Sequence, residues 1–145
     1  NCDGRHMTNP SAEGMAGAIR LCLKDAATSI DAIDYVNAHG TATELGDIAE
    51  SAASFQVLGD KVPVSSTKGY TGHTLGACGS IEAVFCLAMM RDGFLATNRN
   101  LDEVDPRCAP LNYVRGGPRE ARPRTIMTNN FAFGGINTSL LLRAV

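Results

Sequence analysis

Two short β-branched stretches, residues 33–38 and 62–66, constrain this chain most. Each runs directly into a glycine-bearing loop and then into a segment of helical character. Stretches this short, rich in Ile, Val and Tyr, read as buried strands, because a helix of that length would bury too little. Strands that alternate with helices predict an α/β fold, with helices covering the faces of a layered sheet. Asn9 to Ser11 is expected to open a first helix with Pro10 in its first turn, and Met15, Ile19, Leu21, Cys22 and Leu23 give it an apolar side to about residue 28. A second helix is expected over residues 43–58, with Glu44 and Asp47 placed where the helix dipole favours them. A third is expected over about residues 75–90. There Ala77, Ile81, Val84, Phe85, Ala88 and Met89 cover most of the circumference, which predicts a central position, and Gly93 suits its C-cap. Residues 98–124, rich in Pro, Arg, Asn and Gly, read as surface connection with one short strand at 111–114. Residues 124–131 and 136–143 read as two strands joined by a tight turn.

The length of 145 residues fits one domain or one large half of a domain. A net charge of −2 disfavours nucleic acid as a partner. No apolar run approaches the roughly 20 residues of a membrane helix, and no signal-peptide pattern opens the chain. The five cysteines are odd in number and none has C-x-x-C spacing, so neither disulfides nor a metal is expected, and a reducing cytoplasmic setting is. The opening Asn1-Cys2-Asp3-Gly4-Arg5-His6-Met7-Thr8 reads as loop, which suggests a chain that starts mid-protein.

The chemistry gathers at strand ends. His39 follows the first strand. Lys68 and His73 lie in the loop after the second, and a glycine loop, residues 131–135, follows the next. In open α/β sheets, sites collect beyond the carboxyl ends of strands. Alone, a histidine after a strand is more often structural, and Lys68 could be an ordinary surface lysine. In series, two imidazoles, an ammonium and backbone N–H groups suit stabilisation of negative charge on a thioester carbonyl. Glu82 falls among apolar neighbours, and a buried carboxylate requires a partner, for which Lys68 is the natural candidate. Asp47 and Glu50 share a helix face; a metal or hydrogen-bond site is one reading of the pair, and a solvated or capping role is the commoner one. Gly72, Gly76 and Gly79 lack phosphate-loop spacing and read as close helix packing. Arg115, Arg119, Arg122 and Arg124 could dock an acidic partner, but a solvated loop is the favoured reading, and the sequon Asn137-Thr138-Ser139 is discounted because it falls within a strand expected to be buried.

Three segments carry a family resemblance: Val36-Asn37-Ala38-His39-Gly40-Thr41-Ala42-Thr43, Ser65-Ser66-Thr67-Lys68-Gly69-Tyr70-Thr71-Gly72-His73-Thr74-Leu75-Gly76-Ala77, and Asn129-Asn130-Phe131-Ala132-Phe133-Gly134-Gly135-Ile136-Asn137. In this order they resemble the C-terminal signatures of β-ketoacyl-[acyl-carrier-protein] synthases I and II. The resemblance implies the C-terminal half of a thiolase-like αβαβα sandwich, with a mixed five-stranded sheet, whose other half carries a nucleophilic cysteine. It implies decarboxylative Claisen condensation of an acyl thioester with malonyl-carrier protein in fatty acid elongation. By motif match, His39 and His73 polarise the malonyl thioester carbonyl, Lys68 organises the site and Glu82 pairs with it. Phe133 gates the site and lends a backbone N–H to an oxyanion hole. Thr41 and Thr43 hold the phosphopantetheine arm, and Phe131 and Gly134 complete the substrate-binding set. Acyl carrier protein, the N-terminal half and a second subunit are the implied partners, with no cofactor beyond the arm that carries the substrates.

Some positions depart from the pattern. Ala132 stands where Gly is common, Ile136 where Thr is, and Ala42 where Ser is, which bears on gating and chain length. No cysteine of this chain lies in the nucleophile motif, and Cys78 and Cys86 read as small core residues, so this segment alone is expected to be inactive. A thiolase would place a cysteine in the last glycine loop, where Phe133 stands instead. A dissociated polyketide-type ketosynthase, or a non-catalytic subunit resembling a chain-length factor, is the alternative. The histidines and the lysine argue against the latter.

Overall fold

The sheet orders its strands by topology rather than by sequence. In a computed structural model that describes residues 1–4 and 10–145, five strands run β4 (Asn112–Tyr113), β2 (Pro63–Ser65), β1 (Tyr35–Asn37), β6 (Thr125–Ala132) and β7 (Ile136–Arg143). β4, β2, β1 and β6 are mutually parallel, and β7 returns antiparallel to β6, so the sheet is mixed as expected. His6 and Asn9 lie outside the described residues.

Helices cover both faces, which is why the central strands are buried along nearly their whole length rather than on alternate residues. α1 (Ala12–Asp25) and α2 (Glu44–Leu58) pack on one face, where Met15, Ile19 and Ala53 meet Val36 and Met127. α4 (Cys78–Asp92) packs on the other, where Cys86 and Met89 meet Tyr35 and Ile126. The period of two along a strand sends Tyr35 and Val36 to opposite faces. Each fully buried aliphatic side chain of this kind contributes about 1.5–3 kcal/mol.

Boundaries follow local chemistry. Ser11 caps α1, its Oγ accepting from Gly14 N–H at 3.1 Å, so Pro10 precedes the cap instead of sitting in the first turn. α1 ends at Asp25, short of residue 28, because Ala27 takes a left-handed φ of 45°. The loop expected over residues 67–73 contains a one-turn helix, α3 (Lys68–Thr71). Gly93 caps α4 at φ 77°, its N–H bonded to Met89 O.

Two expectations need correction. α4 is buried on one side only: Val84 is 62 % exposed and Leu87 53 %, because no described element packs over them. Within residues 98–124 the short strand expected at 111–114 is β4, which completes the main sheet, whereas β5 (Arg119–Glu120), paired with β3 (Phe94–Leu95), was not expected. Strands of two residues leave no period to read. Here the Asn98 side chain substitutes for a longer ladder, donating to Val64 O at 3.0 Å and Val114 O at 3.2 Å and accepting from Ser66 N–H at 2.9 Å.

Candidate active site

Because β1, β2 and β6 run parallel, the loops after them open on the same edge of the sheet. That edge holds a cleft of about 840 Å³. His39, Thr41, His73, Cys78, Asn130 and Phe133 are among its walls. His39 and His73 stand edge to face, ring centroids 5.3 Å apart and planes at 87°. Phe131 closes on His39 from the far side at 6.2 Å.

The two imidazoles differ in setting. His39 is 8 % exposed, whereas His73 is open to the cleft. Burial, followed by the Lys68 charge and His73, drives the His39 pKa down to about 3, against a smaller opposing pull from the nearby Asn130 side chain. His39 is therefore neutral at physiological pH. His73 Nδ1 accepts from Leu75 N–H at 3.2 Å, so the neutral ring carries its proton on Nε2 and has a donor to offer.

Backbone strain concentrates at these loops. Ala42 has φ 58° and Leu75 φ 53°, left-handed conformations that cost a non-glycine residue about 1–2 kcal/mol. Gly40, at φ 40°, cannot be replaced simply: a Cβ there would lie 2.6 Å from Ser66 Cβ.

Sequence reading ranked second the hydrogen-bond role that Glu50 takes in holding the His39 loop. The Glu50 carboxylate accepts from the backbone N–H of His39 and of Gly40, each at 2.7 Å. Asp47, one turn earlier, faces the amides of Ala42 and Thr41. Both are buried or half-buried, not solvated. Burial raises the Glu50 pKa to about 7 in spite of those two bonds. The available signal was its setting among Ala49, Ser51, Ala53 and Ser54, small residues suited to a packed face. Among the described residues, no group of three or more His, Cys, Asp or Glu could hold a metal ion.

Lys68 and Glu82 meet as expected, the ammonium donating to Glu82 Oε1 with side chains 6 % and 3 % exposed. Neither lines the cleft, so the ammonium faces its carboxylate rather than the pocket and acts on His39 through space. Glu82 Oε2 accepts from Asn130 Nδ2 at 3.1 Å. Cys78 is buried, as a core thiol would be, yet it also borders the cleft and donates to Asn130 Oδ1 at 2.8 Å. Thr41 and Thr43 share a hydroxyl hydrogen bond of 2.9 Å on the cleft wall. Phe133 is 62 % exposed at the rim. Gly135 lines the cleft where Gly134 had been expected. Among the described residues a Cβ at Gly72 or Gly76 would meet no atom within 4 Å, so neither marks close helix packing; Gly76 borders the cleft beside Gly79, where a Cβ would meet Asn130.

Residues 1–102 match the family described as beta-ketoacyl synthase, C-terminal domain. The chain is 46% identical over 143 residues to 3-oxoacyl-[acyl-carrier-protein] synthase 1 of Escherichia coli (strain K12), covering 97% of this chain and 34% of that protein. A beta-ketoacyl synthase from Burkholderia phymatum STM815 superposes with a TM-score of 0.97 at 54% identity, over 100% of this chain and 36% of that one. The ketosynthase in the AntDE:AntF complex, a type II PKS acyl-carrier protein with its ketosynthase, superposes at 0.92 with 33% identity, over 100% and 36%. The chain thus spans about a third of the length of the proteins it resembles.

Proposed function

The chain belongs to the beta-ketoacyl synthase family, and from that premise we propose that its cleft serves decarboxylative condensation of a malonyl thioester with an acyl thioester in fatty acid elongation. The observation that carries the proposal is the perpendicular pair of imidazoles, 5.3 Å apart on one cleft, with His39 held neutral. The acyl group rides on a cysteine in the part of the protein that this chain does not span. The bond from the malonyl α-carbon to its carboxylate breaks, CO₂ leaves, and the electron pair passes into an enolate on the thioester oxygen. His39 and His73 donate hydrogen bonds to that oxygen, and the N-terminal end of α4, whose Cys78 and Gly79 border the cleft, favours the same charge. The α-carbon then attacks the acyl thioester, a carbon–carbon bond forms and the cysteine thiolate departs. Backbone N–H groups of the Phe133 loop serve the oxyanion of that step, while Thr41 and Thr43 hold the arm of the donor.

An acyl carrier protein is the proposed partner for both substrates, and a two-subunit assembly in the cytoplasm the proposed setting. A carrier protein is bound by the related ketosynthase of the AntDE:AntF complex. Among the described residues no helix is long and apolar enough to cross a membrane. Fatty acid elongation is favoured over polyketide extension by the higher identity, 46% to the Escherichia coli 3-oxoacyl-[acyl-carrier-protein] synthase 1 against 40% to the actinorhodin polyketide beta-ketoacyl synthase of Streptomyces coelicolor.

The test is a condensation assay on the full-length protein with acyl- and malonyl-carrier protein, beside His39→Ala and His73→Ala. The expected result is 3-oxoacyl product and CO₂ from the parent, with decarboxylation reduced about a hundredfold or more in each variant. A folded parent that releases no CO₂ and forms no product would overturn the proposal.

A further inference from the structure

Between the cleft and the buried ion pair stands one side chain that touches both. The Asn130 amide donates through Nδ2 to Glu82 Oε2 at 3.1 Å and accepts at Oδ1 from the Cys78 thiol at 2.8 Å. It also borders the cleft beside both His39 and Cys78, close enough to act on the His39 imidazole. The orientation of the amide is forced. An ionised carboxylate only accepts, so the NH₂ end must face Glu82 and the oxygen faces the thiol. Its backbone is fixed as well, since Asn130 pairs with Thr138 in the β6–β7 ladder and its carbonyl accepts from Thr138 Oγ1 at 3.1 Å.

We propose that Asn130 is a positioning residue that couples the Lys68–Glu82 pair to the His39 imidazole at the cleft wall. The inference rests on the condensing role proposed above and adds a requirement to it. Position 130 must present a donor on one side and an acceptor on the other. An amide does this at every pH. A carboxylic acid does it only while protonated. Apolar side chains of the same size do it never.

Two variants of the full-length protein separate these cases. Asn130→Asp sets two carboxyl groups against each other, and such a pair retains one proton to unusually high pH. While that proton is present, the acid donates to Glu82 and its other oxygen still accepts. Once it is lost, two acceptors face one another. Asn130→Leu removes both bonds at similar volume. The other titratable groups around His39 are Glu50 from α2, Lys68 from α3, His73 from the following loop, and Glu82 and Cys78 from α4. All are unchanged in both variants.

The readouts are CO₂ release from malonyl-carrier protein and acyl transfer onto the protein from acyl-carrier protein, each divided by the parent's rate at the same pH. Asn130→Asp is expected to decarboxylate within about threefold of the parent near pH 6 and to fall about tenfold or more by pH 8.5. Asn130→Leu is expected to be about tenfold down at both, and acyl transfer to change less than about threefold in either variant. A pH-independent ratio for Asn130→Asp overturns the inference, as does equal loss of acyl transfer and decarboxylation. Should Asn130→Leu fail to fold, the pH course of Asn130→Asp decides alone. A parent without decarboxylation overturns the condensing role itself, whereas an active parent with an indifferent position 130 overturns only the role of Asn130.

Discussion

Lys68→Met tests the buried ion pair most directly. The substitution keeps a chain of similar length and removes the charge. Glu82, 3 % exposed, would then keep the hydrogen bond from Asn130 Nδ2 but lose its counter-charge. Breaking a buried pair from one side costs about 3–5 kcal/mol, because a desolvated charge is left uncompensated. Adding Glu82→Gln removes that charge while preserving an acceptor for Asn130. What remains is one unsatisfied amide donor, at about 1–3 kcal/mol. The double variant is therefore expected to be more stable than Lys68→Met alone, by about 2 kcal/mol. Activity should not return with stability. The Lys68 charge is the second-largest influence holding His39 neutral, after burial, so its loss moves the His39 titration upward in both variants. Chemical denaturation of the full-length protein measures the first effect, and NMR titration of the imidazoles the second. A Lys68→Met cost below about 1 kcal/mol, or a double variant less stable than the single, would refute a buried charge pair as the organising interaction.

Two further outcomes follow from the loop that carries His39. Glu50 is raised from 4.5 to about 7 in the folded protein, so its contribution to stability is fully present below pH 4.5 and is lost as pH rises through about 7. Glu50→Gln should flatten the stability profile between those values by about 3 kcal/mol, read from denaturation midpoints across that range, and an unchanged slope would contradict it. Gly40→Ala should destabilise by about 2 kcal/mol or more, because the left-handed φ of 40° is compounded by a Cβ 2.6 Å from Ser66 Cβ, and a cost under 0.5 kcal/mol, the scale of an ordinary surface change, would contradict it.

The parts of this molecule legible from sequence are those whose causes are local. β1 and β2 announced themselves through β-branched residues bounded by turns, and β6 and β7 through length and the glycines between them. The strand ends then placed His39, His73 and Phe133 on one edge, because parallel strands share a direction. Position along the chain could not tell which way a side chain turns once there. Lys68 lies in the loop that supplies His73, yet its ammonium turns to Glu82, fourteen residues on along the chain. The face of α4 bearing Val84 and Leu87 was misplaced for a related reason: an apolar circumference describes a helix, not what covers it.

The least legible residues are those whose work depends on contacts between distant segments. Glu50 reaches back 11 positions to the His39 amide, and Asn130 reaches 48 to Glu82 and 52 to Cys78. No spacing rule links such residues, since the sheet order β2–β1–β6 and the packing of α4 against β6 create their proximity. What their chemistry has in common is that each answers a polar group already committed to burial: Glu50 the orphan amides of a strained loop, Asn130 the second oxygen of an ion-paired carboxylate. Buried polar groups must find partners, so the histidines and the lysine, once recognised, entail that partners of this kind exist. Their identities emerge only when the fold brings three strand ends and one helix N-terminus together. Asn130 is where that entailment is strictest, because a single amide answers a carboxylate with its NH₂ and a thiol with its oxygen at once, from two separate atoms and at every pH.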